Sequence, residues 1–157
     1  MIIYIASDHA GFEMKRALIE HLSQSGHHVY DCGPETYDPA DDYPDYISRA
    51  AHYVSEKSHD LDVFGVVLGG NGQGEAIVAN RFPGVRCAVF YGGNKHTLTT
   101  SRQDDGANML SFGARFLTTH EATQAVDLWL GTKFSGEARH VRRLKKIAKI
   151  EEILKTE

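Results

Sequence analysis

Residues 63–68, VFGVVL, are apolar at every position except Gly65, and the chain runs from them directly into Gly69-Gly70-Asn71-Gly72-Gln73-Gly74-Glu75. A run that is apolar on both faces belongs in a sheet covered on both sides. Glycines at its carboxyl end make room for a ligand or a very tight turn. Four more short runs share this character, at residues 2–6, 28–32, 85–91 and 109–112. Between them the apolar positions fall at helical spacing. Residues 10–25 carry Phe12, Met14, Ala17, Leu18 and Leu22, and Gly26 closes the helix. Pro44 suits the first turn of a second helix with a stripe of Tyr46, Ile47, Ala50, Ala51 and Val54. Further helices are predicted over 76–81, 95–103, 119–130 and 137–155. Strands alternating with helices predict an α/β fold with a five-stranded parallel sheet between two helical layers.

Composition sets the bounds. A chain of 157 residues fits one domain, 1–157, and at this size roughly 68–70% of the unfolded surface is buried without staples. The 17 basic residues are outnumbered by 21 acidic ones, giving a net charge of −4. That argues against nucleic acid or an anionic membrane surface as partner. The two cysteines, Cys32 and Cys87, sit in short β-like runs and read as free thiols, too few for a disulfide scaffold. The start, MIIYIASDH, lacks the basic segment of a signal peptide. No run approaches the ~18 apolar residues of a membrane span. A soluble, cytoplasmic protein is expected.

In an open parallel sheet, ligands bind beyond the carboxyl ends of the strands. The residues that follow the predicted strands there are Asp8-His9, the glycine run, Tyr91-Gly92-Gly93-Asn94 and Gly113-Ala114-Arg115. Two readings of Gly69 to Gly74 are open. One is a tight strand-to-helix turn; the other is a cradle whose backbone N–H groups hold an enediolate or a phosphate. A P-loop is excluded because no Gly-Lys-Ser/Thr follows, and no acidic residue ends the next strand to hold a ribose. Glu75 either complements the positive end of a helix or, beside an anion cradle, moves a proton between adjacent carbons. Asp8 caps a helix or meets a ligand. His9 is placed to contact a sugar hydroxyl or phosphate. Arg139 and Arg143, four apart, share a helix face that is either solvated or a phosphate clamp. The nine histidines show no metal-binding spacing, and no G-x-S-x-G elbow appears.

The segments SDHAGFEMK (7–15), DCG (31–33), DDYPDY (41–46), GGNGQGEAIVANRFPGVRCA (69–88), NMLSFGAR (108–115) and RHVRR (139–143) resemble the ribose-5-phosphate isomerase B / LacAB sugar-phosphate isomerase family, nearly end to end. The resemblance implies a Rossmann-like three-layer α/β/α sandwich. It implies a homodimer or homotetramer with active sites at subunit interfaces. The implied activity is aldose–ketose isomerisation of a phosphosugar through an enediolate, without metal or organic cofactor. By position, Asp8 and His9 would bind sugar or phosphate. Gly70, Asn71, Gly72, Gln73 and Gly74 would supply the anion hole. Arg115, Arg139 and Arg143 would hold the phosphate, some of them from a neighbouring subunit. One branch of the family uses a cysteine base at the position of Gly69 and the other a glutamate at the position of Glu75, so this chain resembles the glutamate branch.

The pattern breaks at one place. Where the family carries His-Asn after Ser-Arg-x, this chain has Asp104-Asp105 after Ser101-Arg102-Gln103. The family's histidine helps open the furanose ring, and its asparagine binds near the reacting carbons. Either Asp104 replaces the histidine, with Asp105 near the substrate, or the enzyme takes open-chain sugar. Ribose 5-phosphate is the leading substrate. A tetrose or hexose phosphate, and a non-catalytic phosphosugar-binding module, are the alternatives.

Overall fold

In the computed structural model, which describes residues 1–156, five strands form one sheet. They are β1 (Ile2–Ser7), β2 (His28–Asp31), β3 (Val63–Gly69), β4 (Cys87–Phe90) and β5 (Met109–Gly113). Their order is β2-β1-β3-β5-β4, with every pairing parallel. The helices are α1 (Phe12–Gln24), entered through a 3-10 turn at His9–Gly11, then α2 (Tyr43–Glu56), α3 (Gln73–Ala79), α4 (His96–Gln103), α5 (Thr119–Gly131) and α6 (Ala138–Lys155). The predicted α/β fold and its five-stranded parallel sheet are what the chain forms.

Successive side chains on a strand point to opposite faces, and here both faces are apolar. On β1, Ile3 and Ile5 enter a core shared with α1, α4 and α5, while Tyr4 and Ala6 enter a second core shared with α2 and α3. On β3, Phe64, Val66 and Leu68 join the first core, and Val63 and Val67 the second. Gly65 interrupts that apolar run because the Met109 side chain fills its place: a Cβ there would lie 2.7 Å from Met109 Cε. The edge strand β2 stays largely exposed. Arg102 of the Ser-Arg segment is buried and structural. Its guanidinium lies over the rings of Phe64 (4.7 Å) and Trp129 (5.2 Å) and donates to the Thr132 carbonyl at 3.0 Å.

Helix α3 begins at Gln73, three residues before the predicted start at 76, and ends at Ala79 rather than 81. Gly72, with φ of 79°, takes the left-handed conformation at its cap. Helix α6 belongs to neither layer. It runs across the amino-terminal edge of the sheet, where the Gly84 N–H donates to Glu151 at 3.0 Å and Leu144 reaches Gly106. Of its side chains only His140 is buried, and Ile147, Ile150, Ile153 and Leu154 are between 46% and 68% exposed. Both cysteines are free. Among the described residues no helix is long and apolar enough to cross a membrane.

Candidate active site

Because all five strands are parallel, every carboxyl end lies on one edge of the sheet. The chain leaves β1 toward β2 on one side and returns through β3 on the other, so a crevice opens between β1 and β3. Backbone bonds tie its parts together. The Asp8 N–H donates to the Leu68 carbonyl (3.2 Å), the Ala114 N–H to Gly69 (2.8 Å) and the Arg115 N–H to Gly70 (3.1 Å). Asp8, His9, the glycine loop, Glu75 and Arg115 are thus gathered at one place, as the strand ends predict.

Glu75 is the third residue of α3 and only 3% exposed. Its carboxyl lies directly on the backbone of Gly69: a Cβ at residue 69 would sit 1.8 Å from Glu75 Oε1 and 2.0 Å from Cδ. A side chain at 69 and this carboxyl therefore exclude each other. Burial pushes the Glu75 pKa above the usual carboxylate range, against the pull of its own backbone N–H, and the charge of Asp8 adds to the rise. A carboxyl lifted toward neutrality suits a group that must both take and return a proton.

The glycines are needed for close approach. A Cβ on Gly70 would lie 3.0 Å from the Arg115 guanidinium, and one on Gly74 would lie 2.7 Å from the Tyr43 ring. The Asn71 Oδ1 accepts the Gln73 N–H at 2.9 Å, so its amide nitrogen remains to donate. The first turn of a helix leaves its leading N–H groups without internal partners, so Gly72 and Gly74 present theirs at the mouth of the loop. Tyr43 lies in the DDYPDY segment, but nothing in the sequence pairs it with Gly74.

Asp8 does cap the turn that follows it. Its Oδ1 accepts the N–H groups of Ala10 (2.8 Å) and Gly11 (3.2 Å). His9 has a partner that sequence reasoning missed. Its Nδ1 lies 2.6 Å from Asp41 Oδ1, which also accepts the His9 backbone N–H at 3.1 Å. Asp41 stands 32 residues away at the head of the DDYPDY segment, and nothing local pairs it with His9. Lys15, fully buried, fastens the base of that loop by donating to Asp31 Oδ1 and the Pro34 carbonyl, each at 2.7 Å. Asp8, His9 and Asp41 bring donor atoms within 4.8 Å of one another, a grouping the sequence spacing does not suggest. One oxygen of each carboxylate is already spent on N–H groups, so the set serves hydrogen bonding better than a cation.

The remaining candidates are not at this crevice. Asp104 and Asp105 follow the carboxyl end of α4, and in a parallel sheet that end lies at the opposite, amino-terminal edge. There Asp104 Oδ1 lies 3.5 Å from Nε2 of the buried His140. Arg139 is exposed and pairs with Glu137 at 2.9 Å, and Arg143 is exposed on the same helix. The fold therefore separates Asp104, Asp105, Arg139 and Arg143 from Glu75 within one chain. The order of α4 and β5 along the chain already carries that information.

A family model described as Ribose/Galactose Isomerase matches residues 3–147. Ribose-5-phosphate isomerase B of Mycolicibacterium paratuberculosis is 42% identical over 151 residues, covering 96% of this chain and 92% of that protein. The crystal structure of ribose-5-phosphate isomerase B from Mycoplasma genitalium, with bound ribulose-5-phosphate, is similar at a TM-score of 0.90 and 38% identity, covering 96% of each chain. The Clostridium thermocellum ribose-5-phosphate isomerase B structure follows at a TM-score of 0.89 and 36% identity, covering 98% of this chain and 99% of that one. Likeness of sequence and of fold thus extends over the same near-complete length, and the chain belongs to the ribose/galactose isomerase family.

Proposed function

We propose that this chain interconverts ribose 5-phosphate and ribulose 5-phosphate through an enediolate, with Glu75 carrying the proton between C1 and C2. The observation that carries the reading is the Glu75 carboxyl, buried against Gly69 at the end of the glycine loop and raised in pKa by that burial. As the proton leaves C2 of the open-chain aldose, negative charge grows on O1. The loop N–H groups and the Asn71 amide stand where they stabilise that charge. Arg115, over Gly70, lies at the rim for the phosphate. The bound ribulose-5-phosphate of the Mycoplasma genitalium relative supports the substrate class.

The active unit is an assembly of at least two copies. Arg139 and Arg143 lie at the sheet edge opposite Glu75, so they serve as phosphate ligands only in a neighbour's crevice. The exposed stripe of Ile147, Ile150 and Ile153 on α6 gives that neighbour an apolar surface to cover. A different phosphosugar, a tetrose or hexose phosphate, is the second reading, favoured by Asp104-Asp105 in place of the family's His-Asn. A panel of phosphosugars with ketose detection decides between them. Turnover of ribose 5-phosphate that falls at least about 10²-fold in Glu75→Gln is expected. Turnover of only another sugar replaces the substrate, and saturable binding without any turnover leaves a binding module instead.

A further inference from the structure

Helix α2 packs mainly on β1 and β3, so a groove of about 730 Å³ remains between it and the edge strand β2. That is the size of a site for a small organic molecule. Its lining includes none of Asp8, His9, the glycine loop, Glu75 or Arg115, and the isomerisation has no use for it.

The groove is built around three tyrosines. Tyr4 of β1 is 6% exposed. Tyr30 of β2 and Tyr53 of α2 both stack on it, with centroids 5.3 Å and 4.9 Å away and planes 20° and 13° from parallel. The rings hold one another in place, yet Tyr30 and Tyr53 remain 53% and 47% exposed. A fixed aromatic surface is thus left uncovered at the groove. Arg49 and Tyr46 stand one and two turns before Tyr53 on the same face of α2. The Arg49 guanidinium stacks over the Tyr46 ring at 5.1 Å and pairs with no carboxylate among the described residues. Stacking fixes the plane of a guanidinium and leaves its N–H edge free to donate. Gly33 makes room for both side chains, since a Cβ there would lie 2.9 Å from the Tyr46 ring and 3.5 Å from Arg49 Nη1. Lys57, just past the end of α2, donates to the Tyr4 hydroxyl at 2.7 Å. Asp31 of the opposite wall is neutralised by Lys15 at 2.7 Å. Glu35 is then the one wall carboxylate without a cation, against Arg49 and Lys57.

The geometry points to a second ligand site in this groove, for a planar aromatic molecule carrying one anionic group. Its ring stacks on the exposed tyrosines, as nucleobases stack on aromatic side chains. Its phosphate or carboxylate takes the Arg49 fork, which matches either anion with two parallel N–H donors. A phosphosugar has the anion but no ring face to stack. Two sources supply both parts, a nucleoside monophosphate and an aromatic carboxylic acid.

Isothermal titration calorimetry of the whole protein with adenosine 5′-monophosphate and with phenylpyruvate tests this. Adenosine is the control that has the ring without the anion. At least one of the two anions is expected to bind at one site per chain, at least about 10-fold tighter than adenosine. Tyr53→Ala removes a stacking face and Arg49→Gln removes the fork, and each should weaken that binding at least about 10-fold. Tyr53→Phe keeps the ring and should keep the affinity, so a loss in Tyr53→Ala reads as lost stacking once thermal melts show both variants folded. Arg115→Ala alters the other crevice and should leave the affinity unchanged. Tighter binding of the nucleotide or of the aromatic acid identifies the source. The site is overturned if neither anion binds at millimolar concentration, if binding survives both Tyr53→Ala and Arg49→Gln, or if it is lost in Arg115→Ala. The isomerisation reading stands in each of those cases.

Discussion

Gly69→Ala is the sharpest single perturbation of this site. The added methyl would sit 1.8 Å from Glu75 Oε1, where ordinary contact begins at 3.4 Å, so the carboxyl must retreat by about 1.6 Å. The atom it meets is the free end of a flexible side chain, so the fold survives. The backbone of Gly69 is not left-handed and accepts alanine without strain. A displacement beyond 1 Å of a reacting group costs about 10²-fold, or about 2.7 kcal/mol in activation free energy. Overpacking adds about 1–3 kcal/mol of lost stability. The double variant Gly69→Ala/Glu75→Ala removes the clash, so its stability should exceed that of Gly69→Ala while activity stays lost, a strongly non-additive cycle. Initial rates with ketose detection and thermal melts of the four proteins measure both halves. If Gly69→Ala keeps its rate within about threefold of wild type, the carboxyl resting on Gly69 is not the one that moves the proton.

The buried carboxyl, the divided site and the buried thiol each have a measurable consequence. Glu75 holds its proton more tightly in the folded chain than unfolded, so wild-type stability falls as pH rises through the native pKa. Glu75→Gln should therefore be the more stable protein at pH 8, with the advantage shrinking toward about pH 4.3 in denaturant titrations, and an advantage unchanged by pH refutes this. Glu75→Gln chains mixed with Arg139→Ala/Arg143→Ala chains, each nearly inactive alone, should regain about a quarter of wild-type activity as hybrid dimers form, since one of two sites is then intact. No recovery after demonstrated subunit exchange argues against a shared site. The Cys32 thiol, pushed up to about 11 by burial, should react with iodoacetamide slowly at neutral pH and faster with each pH step toward 11, followed by mass spectrometry. Rapid labelling at pH 7 would contradict the buried placement.

Much of this was legible along the chain because the two periodicities are local. The continuous apolar runs of β1 and β3 and the stripe of α2 each lie within a few residues. The start of α3 was not legible, since Gly72 and Gly74 both read as loop. Only the approach of Tyr43 explains a glycine inside the first helical turn. The His9–Asp41 and Asp104–His140 pairs join residues more than 30 positions apart, and nothing nearby in the chain selects one loop aspartate over its neighbours. Separation of Asp104 from Glu75 follows from chain order alone, because a helix between parallel strands must end at the amino edge. Arg102 of the Ser-Arg segment is held by the fold against the rings of Phe64 and Trp129, a contact between residues far apart in the chain.

The loop joining β2 to α2 has a thermal consequence. Its residues 35–40 are exposed, and it is fastened at one end by Lys15 and at the other by Asp41 on His9 and Tyr43 on Gly74. Segments with few buried contacts open far more cheaply than the sheet beneath them. One such fluctuation frees the imidazole and uncovers the glycine loop together. Heat inactivation should accordingly precede melting of the strands, with the warm limit of turnover set by this arch rather than by the core.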